Sequence, residues 1–412
     1  MGPSGFVPAG RSQLGTSGGP HGLCSCAPVP AAARGQERGF AAFAALHGGG
    51  RAVWSARDPA TLAREGYQRN PVVHRAVRMV AEAAGGVPLI LTEGERELDV
   101  HPLLDLLGRP NPRQGKAGLV EALVSHLLIS GDAYLEAVTL DGEPRELHVL
   151  RPDRMRVLPD PEGWPEAYEY RVGAEVSRFD QRAEPTPPIL HLTLFHPFDD
   201  HYGLSPLEPA AQAVDLHNAA SAWNKALLDN AARPSGALVY KGPEGQGLSD
   251  DQVERLKAEL EAQFSGAANA GRPLLLDGGL DWRPMALTPQ EMDFLQARNA
   301  AARDIALAFG VPPMLLGIPG DATYANYSEA NRALWRQTAL PLLSRIAQSI
   351  AGWLGPVWGA ELTLRPDLDA VEALAGEREA LWRRVTAATF LDDDEKRVAV
   401  GYQPRGQSRA EG

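Results

Sequence analysis

Two helical patterns that cannot be one helix constrain this chain more than any other feature. Residues 303–343 read RDIALAFGVPPMLLGIPGDATYANYSEANRALWRQTALPLL. The first pattern must stop at Val311, because Pro312 and Pro313 have no amide to donate and the residue before a proline avoids helical backbone. A glycine-rich, polar and aromatic loop follows. A second long pattern then starts at Ser328, a residue suited to an N-cap, and runs to about Leu354. Pro341 lies inside it, removes one helix hydrogen bond and predicts a kink. This order holds a flexible finger between two rigid rods, and nothing in the finger is a catalytic signature.

A further long helix is expected upstream. Ser205 can cap it, Pro206 takes the first helical position and Glu208 lies three residues after the cap. Leu207, Ala210, Val214, Trp223 and Leu227 mark its apolar face, and Arg233-Pro234 stops it near Ala232. A small block follows: a strand GALVY, a helix capped by Ser249, and a hairpin turning at Asp277-Gly278. A long helix over Gln290–Phe309 returns the chain. Two such helices can run together as a stalk only if the inserted block sits at their far end.

The preceding part reads as mixed α+β. Order begins near Val53. Asn70-Pro71 opens a helix that puts Val73, Ala76, Val77 and Val80 on one side and ends at Gly85-Gly86. Val87–Leu91 reads as a strand, His101–Leu107 as a short helix, and Gly118–Ser130 as a helix. From Asp132 to Phe195 the period changes to two, with Asp141-Gly142 as a hairpin signal and Ile189–Phe195 as a further strand. Towards the C-terminus, ELTLRPDL reads as a strand, Val371–Ala388 as a helix, and Thr389-Phe390-Leu391 leads into a short acidic helix.

Composition excludes several classes. A 44% hydrophobic fraction can fill sizeable cores, but residues 1–50 are Gly/Ala/Pro/Ser-rich without a period and read as disordered. Forty Lys plus Arg against 52 Asp plus Glu give a net charge of −12. That opposes tight sheathing of nucleic acid, which needs clustered cations. It does not exclude a protein that a polyanion must slide past. Cys24 and Cys26 lie in the N-terminal tail with no partner ligands, so they read as free thiols and the chain as intracellular. No apolar run reaches the roughly 18 residues of a membrane span, and the N-terminus has no signal-peptide pattern.

Three stretches carry residues that could hold a ligand or stack on bases. In GRPNPRQGKAG, Gly115-Lys116 precedes a helix, but six residues separate Gly108 from Gly115 where a phosphate loop has four, and Ala117 stands where Ser or Thr would hold Mg²⁺. Nucleotide binding is therefore not expected there. His191, His196 and His201 near Asp199 and Asp200 lack a ligand rhythm and read as structural or capping groups. Trp335 and Trp353 read as packing residues rather than base-stacking platforms. No catalytic residue, cofactor or metal is expected.

Several stretches together resemble the portal proteins of long-tailed bacteriophages and phage-like gene transfer agents. They are Tyr202–Leu207 (Tyr-Gly-Leu-Ser-Pro-Leu), the exit at Asn230, Pro234 and Gly236, the stop at Ile305, Ala306 and Phe309–Pro313, the step Tyr324–Glu329, and the late turn and acidic helix of Thr389–Tyr402. The similarity covers roughly residues 50–405. It implies an α+β portal-type subunit with a mixed wing, two long stem helices, a small α/β clip, a kinked tunnel helix and a short helical crown. The implied segments are a wing over 51–204, stem helices over 205–232 and 290–311, and a clip over 233–289. Residues 312–370 would supply the tunnel loop, tunnel helix and remaining wing, 371–402 the crown, and 403–412 a frayed tail.

The resemblance further implies a ring, usually of twelve copies, at one capsid vertex of a particle assembled in the bacterial cytoplasm. Double-stranded DNA would pass through it during packaging and ejection. Gly317, Gly320, Asp321, Thr323, Tyr324, Asn326 and Tyr327 would form the DNA-contacting loop, and Pro341 the tunnel-helix kink. The clip, with Lys241, Glu254, Lys257 and Glu261, would dock the terminase large subunit and later a head–tail adaptor. The wing would meet the major capsid protein, and no membrane is involved. The rival readings are another head–tail connector or capsid-vertex subunit, and a nucleotide-driven nucleic-acid translocase.

Overall fold

A computed structural model describes residues 58–94, 96–229, 236–240, 249, 251–255, 258, 280–284, 294–320, 324–359 and 361–402. The expectations for the tail with its two cysteines, the exit at Asn230 and Pro234, the turn at Asp277-Gly278 and the final ten residues lie outside them.

Helix α1 (Pro71–Gly86) starts as expected. The Asn70 carboxamide oxygen accepts from the amides of Val72 (3.0 Å) and Val73 (3.2 Å), and Val73, Ala76, Val77 and Val80 are fully buried. Gly85 has a packing reason: a Cβ there would meet the Ala117 carbonyl at 2.9 Å, where α1 crosses α3 (Lys116–Ser130). Helix α3 buries Leu119, Val120, Leu123, Val124, Leu127 and Leu128, because it is covered on more than one side. Helix α2 (Pro102–Gly108) is capped by His101, whose Nδ1 accepts from the Leu103 amide at 3.1 Å.

The strands form small antiparallel sheets. Strand β1 (Leu89–Glu93) lies between β2 (Arg96–Leu98) and β11 (Leu362–Pro366), so segments far apart in the sequence meet in one sheet. Pro88 delays β1 past the expected Val87. Strand β3 (Asp132–Leu140) lies between β4 (Glu143–Leu150) and β8 (Ile189–Thr193). The β3–β4 turn places Asp141 at φ 53° and Gly142 at φ 81°, the left-handed pair that a two-residue hairpin requires. Strands β5 (Met155–Pro159), β6 (Pro165–Val172) and β7 (Glu175–Asp180) make a meander.

Helices α4 (Leu207–Asp229) and α5 (Phe294–Ala308) pack along each other. Between them the chain pairs β9 (Gly236–Tyr240) with β10 (Leu280–Pro284) antiparallel, Gly236 opposite Pro284. Ser249 begins a helical turn in this block: its Oγ accepts from the Gln252 amide and Gln252 Oε1 accepts from the Ser249 amide at 2.9 Å. Helices α6 (Tyr324–Leu334) and α7 (Leu340–Leu354) follow, and α7 buries Leu343, Ile346, Ile350 and Leu354 in the same core as α1 and α3. Trp353 is buried and donates from Nε1 to the Pro187 carbonyl at 2.7 Å, the packing role expected of it. Helix α8 (Ala375–Ala387) and α9 (Asp393–Ala399) end the described chain, α9 with a capping box between Asp392 and Glu395. Among the described residues, no helix is long and apolar enough to cross a membrane.

Candidate nucleic-acid interface

The Val-Pro-Pro break is built as a glycine-terminated helix end. Gly310 stands at φ 63°, its amide bonds the Leu307 carbonyl (3.0 Å), and the Val311 amide bonds the Ala306 carbonyl (2.9 Å). These two bonds close α5 in a Schellman motif, with buried Val311 as its apolar contact. No side chain fits at Gly310, since a Cβ would lie 2.7 Å from Thr338 Oγ1, which itself bonds the Gly310 carbonyl at 2.6 Å. A turn over Pro313–Leu316 ends at Gly317 with φ 72°. Ile318 then packs onto Ala302 and Ala306 of α5, and Arg303 donates to the Pro319 carbonyl.

The loop residues therefore divide. Gly317 and Gly320 belong to a base held on α5. Asp321 and Thr323 lie outside the described residues. Tyr324, Asn326 and Tyr327 are not loop at all but the first turn of α6, with Asn326 and Tyr327 exposed. The expectation that the second helix starts at Ser328 is thus corrected: it starts four residues earlier, and Ser328 is an interior, exposed position.

The helix changes geometry in the turn before Pro341. The ring of a proline clashes with the carbonyl four residues back. Here residues Trp335–Ala339 widen into a π turn, with the Leu340 amide bonding the Trp335 carbonyl, before regular geometry resumes in α7.

Tyr202–Leu207 is a joint. The carbonyl oxygen of Gly131, at φ 83° after α3, accepts from the Leu194 amide at 2.7 Å, and Gly203 packs backbone to backbone on Gly131. The Gly203 amide donates to Asp132 Oδ1 (2.9 Å), Val157 donates its amide to the Tyr202 hydroxyl (3.1 Å), and Ser205 Oγ accepts from the Leu207 amide (3.0 Å). The serine hydroxyl also reaches the Leu128 and Ile129 carbonyls at the end of α3 (3.1 and 2.8 Å). So Tyr202, Gly203 and Ser205 each have a reason at the point where α4 leaves the sheets. His191 belongs to the same joint: Nε2 lies 3.0 Å from Asp132 Oδ1, and the ring stacks on Tyr134 at 4.1 Å. Burial pushes Tyr168, 3.3 Å from His191 Nδ1, up to about 12. Asp199 accepts from the amides of His201 (2.8 Å) and Tyr202 (3.1 Å), which holds it below the usual carboxylate range. His191 is spent on a cross-link, and His196, whose Nδ1 accepts from the Phe198 amide at 3.1 Å, and Asp199 on turns.

A second polar knot ties α4 to α1 and α5. His217 is buried in line with Leu207, Ala210 and Val214. Asn70 Nδ2 lies 3.1 Å from its Nδ1, and Arg298 Nε donates towards its Nε2 at 3.4 Å. Asn70 also donates to Asn218 Oδ1 (3.0 Å), and Asn218 to the Glu65 carbonyl (2.9 Å). Burial, then the Arg298 charge, hold the His217 imidazole neutral to lower pH than usual. Lys116, weighed for phosphate, instead bonds the Val87 carbonyl at the end of α1, and burial lowers its pKa. Beside the Gly131–Gly203 joint opens a cleft of about 810 Å³, lined by Arg64, His126, Arg151, Asp153, Asp199 and Glu208 among others. Its cations and carboxylates are interspersed, and Arg151 is already bidentate on Asp153 (2.9 and 2.7 Å).

Residues 71–401 match the family model described as phage portal protein. The chain belongs to the phage portal protein family. It is 43% identical to an uncharacterized protein of Rickettsia bellii (strain RML369-C), over 82% of this chain and 88% of that one. Among solved structures it is similar to a chain in the neck of an empty GTA particle computed with C6 symmetry. That chain has a TM-score of 0.69 and is 58% identical over 86% of this chain and 96% of the other. It is likewise similar to a chain in the neck of a native GTA particle computed with C12 symmetry. There the TM-score is 0.67 and the identity 57%, over 87% of this chain and 97% of the other. The mixed α+β portal fold is that of these relatives. Of the clip residues expected for docking, Glu254 lies exposed in the turn begun by Ser249, while Lys241, Lys257 and Glu261 lie outside the described residues. Sequence reasoning passed over His217, Asn70's second role and Gly131. Position 217 falls three residues after Val214, on the apolar stripe, and that spacing was the available signal.

Proposed function

We propose that this portal protein assembles as a closed ring, of twelve copies, in the neck of a phage-like particle and conducts double-stranded DNA. The similarity to a chain from a particle neck computed with C12 symmetry carries this reading. In it, α4 and α5 are the stem, the block joined by β9 and β10 is the clip, and the sheets with α1 and α3 are the wing. Residues 371–402 are the crown. The exposed small and apolar groups of α4, Leu216, Ala219 and Ala222, suit a neighbouring helix in such a ring. The clip residues Lys241, Glu254, Lys257 and Glu261 dock a packaging terminase and a head–tail adaptor, and the wing contacts capsid protein. The role is structural and not enzymatic: the ATP-hydrolysing motor is a separate partner.

DNA contact falls to Gly317, Gly320, Asp321, Thr323, Tyr324, Asn326 and Tyr327. They offer amides, hydroxyls and aromatic edges without a cationic grip, and repetition around the ring multiplies a weak contact. The alternating charges of the cleft near Arg151 suit a protein neighbour better than a phosphate backbone. Negative-stain electron microscopy of the purified protein tests the assembly: closed rings with a central hole are expected, and a stable monomer at high concentration and in particles alike refutes it. Shortening the segment between Gly320 and Tyr324 tests the finger. Rings should still form, since the flanking helices carry the packing, while DNA packaging or retention falls. Normal packaging and retention by particles with the shortened loop would show the finger to be misassigned.

A further inference from the structure

From the contacts at the loop base we infer that Arg303 and Ile318 are positioning residues, a latch that fixes where the DNA-contacting loop leaves the second stem helix. The inference rests on the loop reading proposed above. Two side chains, Ile318 and Arg303, place residues 318–320 along one turn of α5. The Ile318 side chain is buried against Ala302 and Ala306, which stand four apart and leave a shallow groove. Arg303 lies between them in sequence and donates its guanidinium to the Pro319 carbonyl. The same guanidinium covers Gly320, where an added Cβ would stand 3.1 Å from its Nη2. Behind this, the Gly317 and Ile318 amides close on the Met314 and Pro313 carbonyls, both at 3.2 Å.

The other side of the loop is tied to the end of the same helix. Thr338, in the π turn, bonds the Gly310 carbonyl at 2.6 Å. The loop base and the widened turn before Pro341 are thus both tied to the C-terminal end of α5 and the glycine that closes it. A rotation of the stem helix carries the loop base with it, because the base is fastened to that helix and not only continuous with it. An arginine suits this: it reaches across a turn, stays charged, and its fork bonds a carbonyl without a buried partner carboxylate. The small residues at 302 and 306 are equally specific, since any larger side chain would displace Ile318.

The experiment uses full-length rings and particles made with them, carrying Arg303→Ala, Arg303→Lys or Ile318→Ala. Hydrogen exchange over residues 314–320 reads the latch. Exchange of the Gly317 and Ile318 amides should rise about five- to tenfold in Arg303→Ala and Ile318→Ala, and by less in Arg303→Lys, which keeps one donor. Ring assembly should be unchanged, while the DNA retained per particle falls. Unchanged exchange in both truncations overturns the latch. Faster exchange with full DNA retention leaves the contacts standing and overturns their positioning role. Full retention after shortening of the loop itself would instead fault the reading of the loop as a DNA contact.

Discussion

Gly203→Ala is the sharpest test of how the stem is joined to the wing. A Cβ at this position would lie 2.1 Å from the Gly131 carbonyl oxygen and 2.7 Å from the Leu194 amide nitrogen. Both obstacles are backbone, so no side chain can rotate away. The two segments must part by about 1 Å to reach an ordinary contact, which is too far for the bonds across the joint to survive. At risk are Leu194 N–H to the Gly131 carbonyl (2.7 Å) and Gly203 N–H to the ionisable Asp132 (2.9 Å). A neutral bond contributes about 1 kcal/mol and one to a charged group about 2 kcal/mol, and the buried groups left unpaired add to that. The expected loss is about 3–5 kcal/mol, a large share of a typical domain's stability. Gly142→Ala is the matched control. It sits at φ 81° with open space around it, so only the left-handed backbone penalises it, by about 1–2 kcal/mol. Denaturant unfolding of both variants beside the unaltered protein measures the difference. If Gly203→Ala costs no more than Gly142→Ala, the backbone-to-backbone joint is not what holds α4 in place.

Acid should destabilise the protein through histidines kept neutral by burial. His217, His126 and His101 all titrate below their ordinary value of 6.5, with burial the leading cause. Their contribution is present above pH 6.5 and lost as pH falls through the depressed values, at up to about 1.4 kcal/mol per pH unit for each proton taken up on unfolding. His217→Gln should make the acid limb of a stability–pH curve shallower, at a cost of about 1–2 kcal/mol at neutral pH; an unchanged limb would exclude His217. Pro341→Ala returns an amide and removes the ring from the carbonyl at 337, so the π turn should relax towards α geometry. That rotates α6 about its axis and should alter ring geometry in averaged micrographs; an identical ring would mean that packing, not the proline, sets the turn. Purified rings should bind duplex DNA weakly, without sequence preference, and less as salt rises; tight binding to one sequence at physiological salt would contradict the conduit.

What was legible in the sequence was local. Asn70, Ser249, the Asp141-Gly142 turn and the Val311-Pro312-Pro313 stop each act through backbone groups a few residues away, and the structure places each of them as their chemistry demands. The helical spacing of Val73, Ala76, Val77 and Val80 was equally reliable because one face of α1 meets the core. Ser328 failed for a physical reason. Serine favours N-caps because its side chain competes for backbone groups, but it costs little on an exposed helix surface, and nothing in Tyr324–Tyr327 forbids helix. Leu334 and Ala330 are buried, and docking that face against the core carries the helix back past the serine. Packing outweighed the cap.

Gly131 and Gly203 show what local reading cannot reach. Seventy-two positions apart, they look like a helix terminator and a turn residue, and each is that. Their contact is dictated by neither role. It follows from the β3–β8 pairing, Asp132 opposite Thr193, which brings the end of α3 to the segment after β8. Ser205 then fastens α4 to the last carbonyls of α3. The same logic applies to the loop. The sequence announces a break after Val311, but whether the residues beyond it swing freely depends on Ala302 and Ala306 being small enough to seat Ile318. Those alanines read as ordinary helix formers. Their function is to leave room, and room becomes visible only when the segment that fills it is in place. If Ala302→Leu left the exchange of the Ile318 amide unchanged, the groove would be incidental and the loop's direction would have to be set by Gly310 and Thr338 alone.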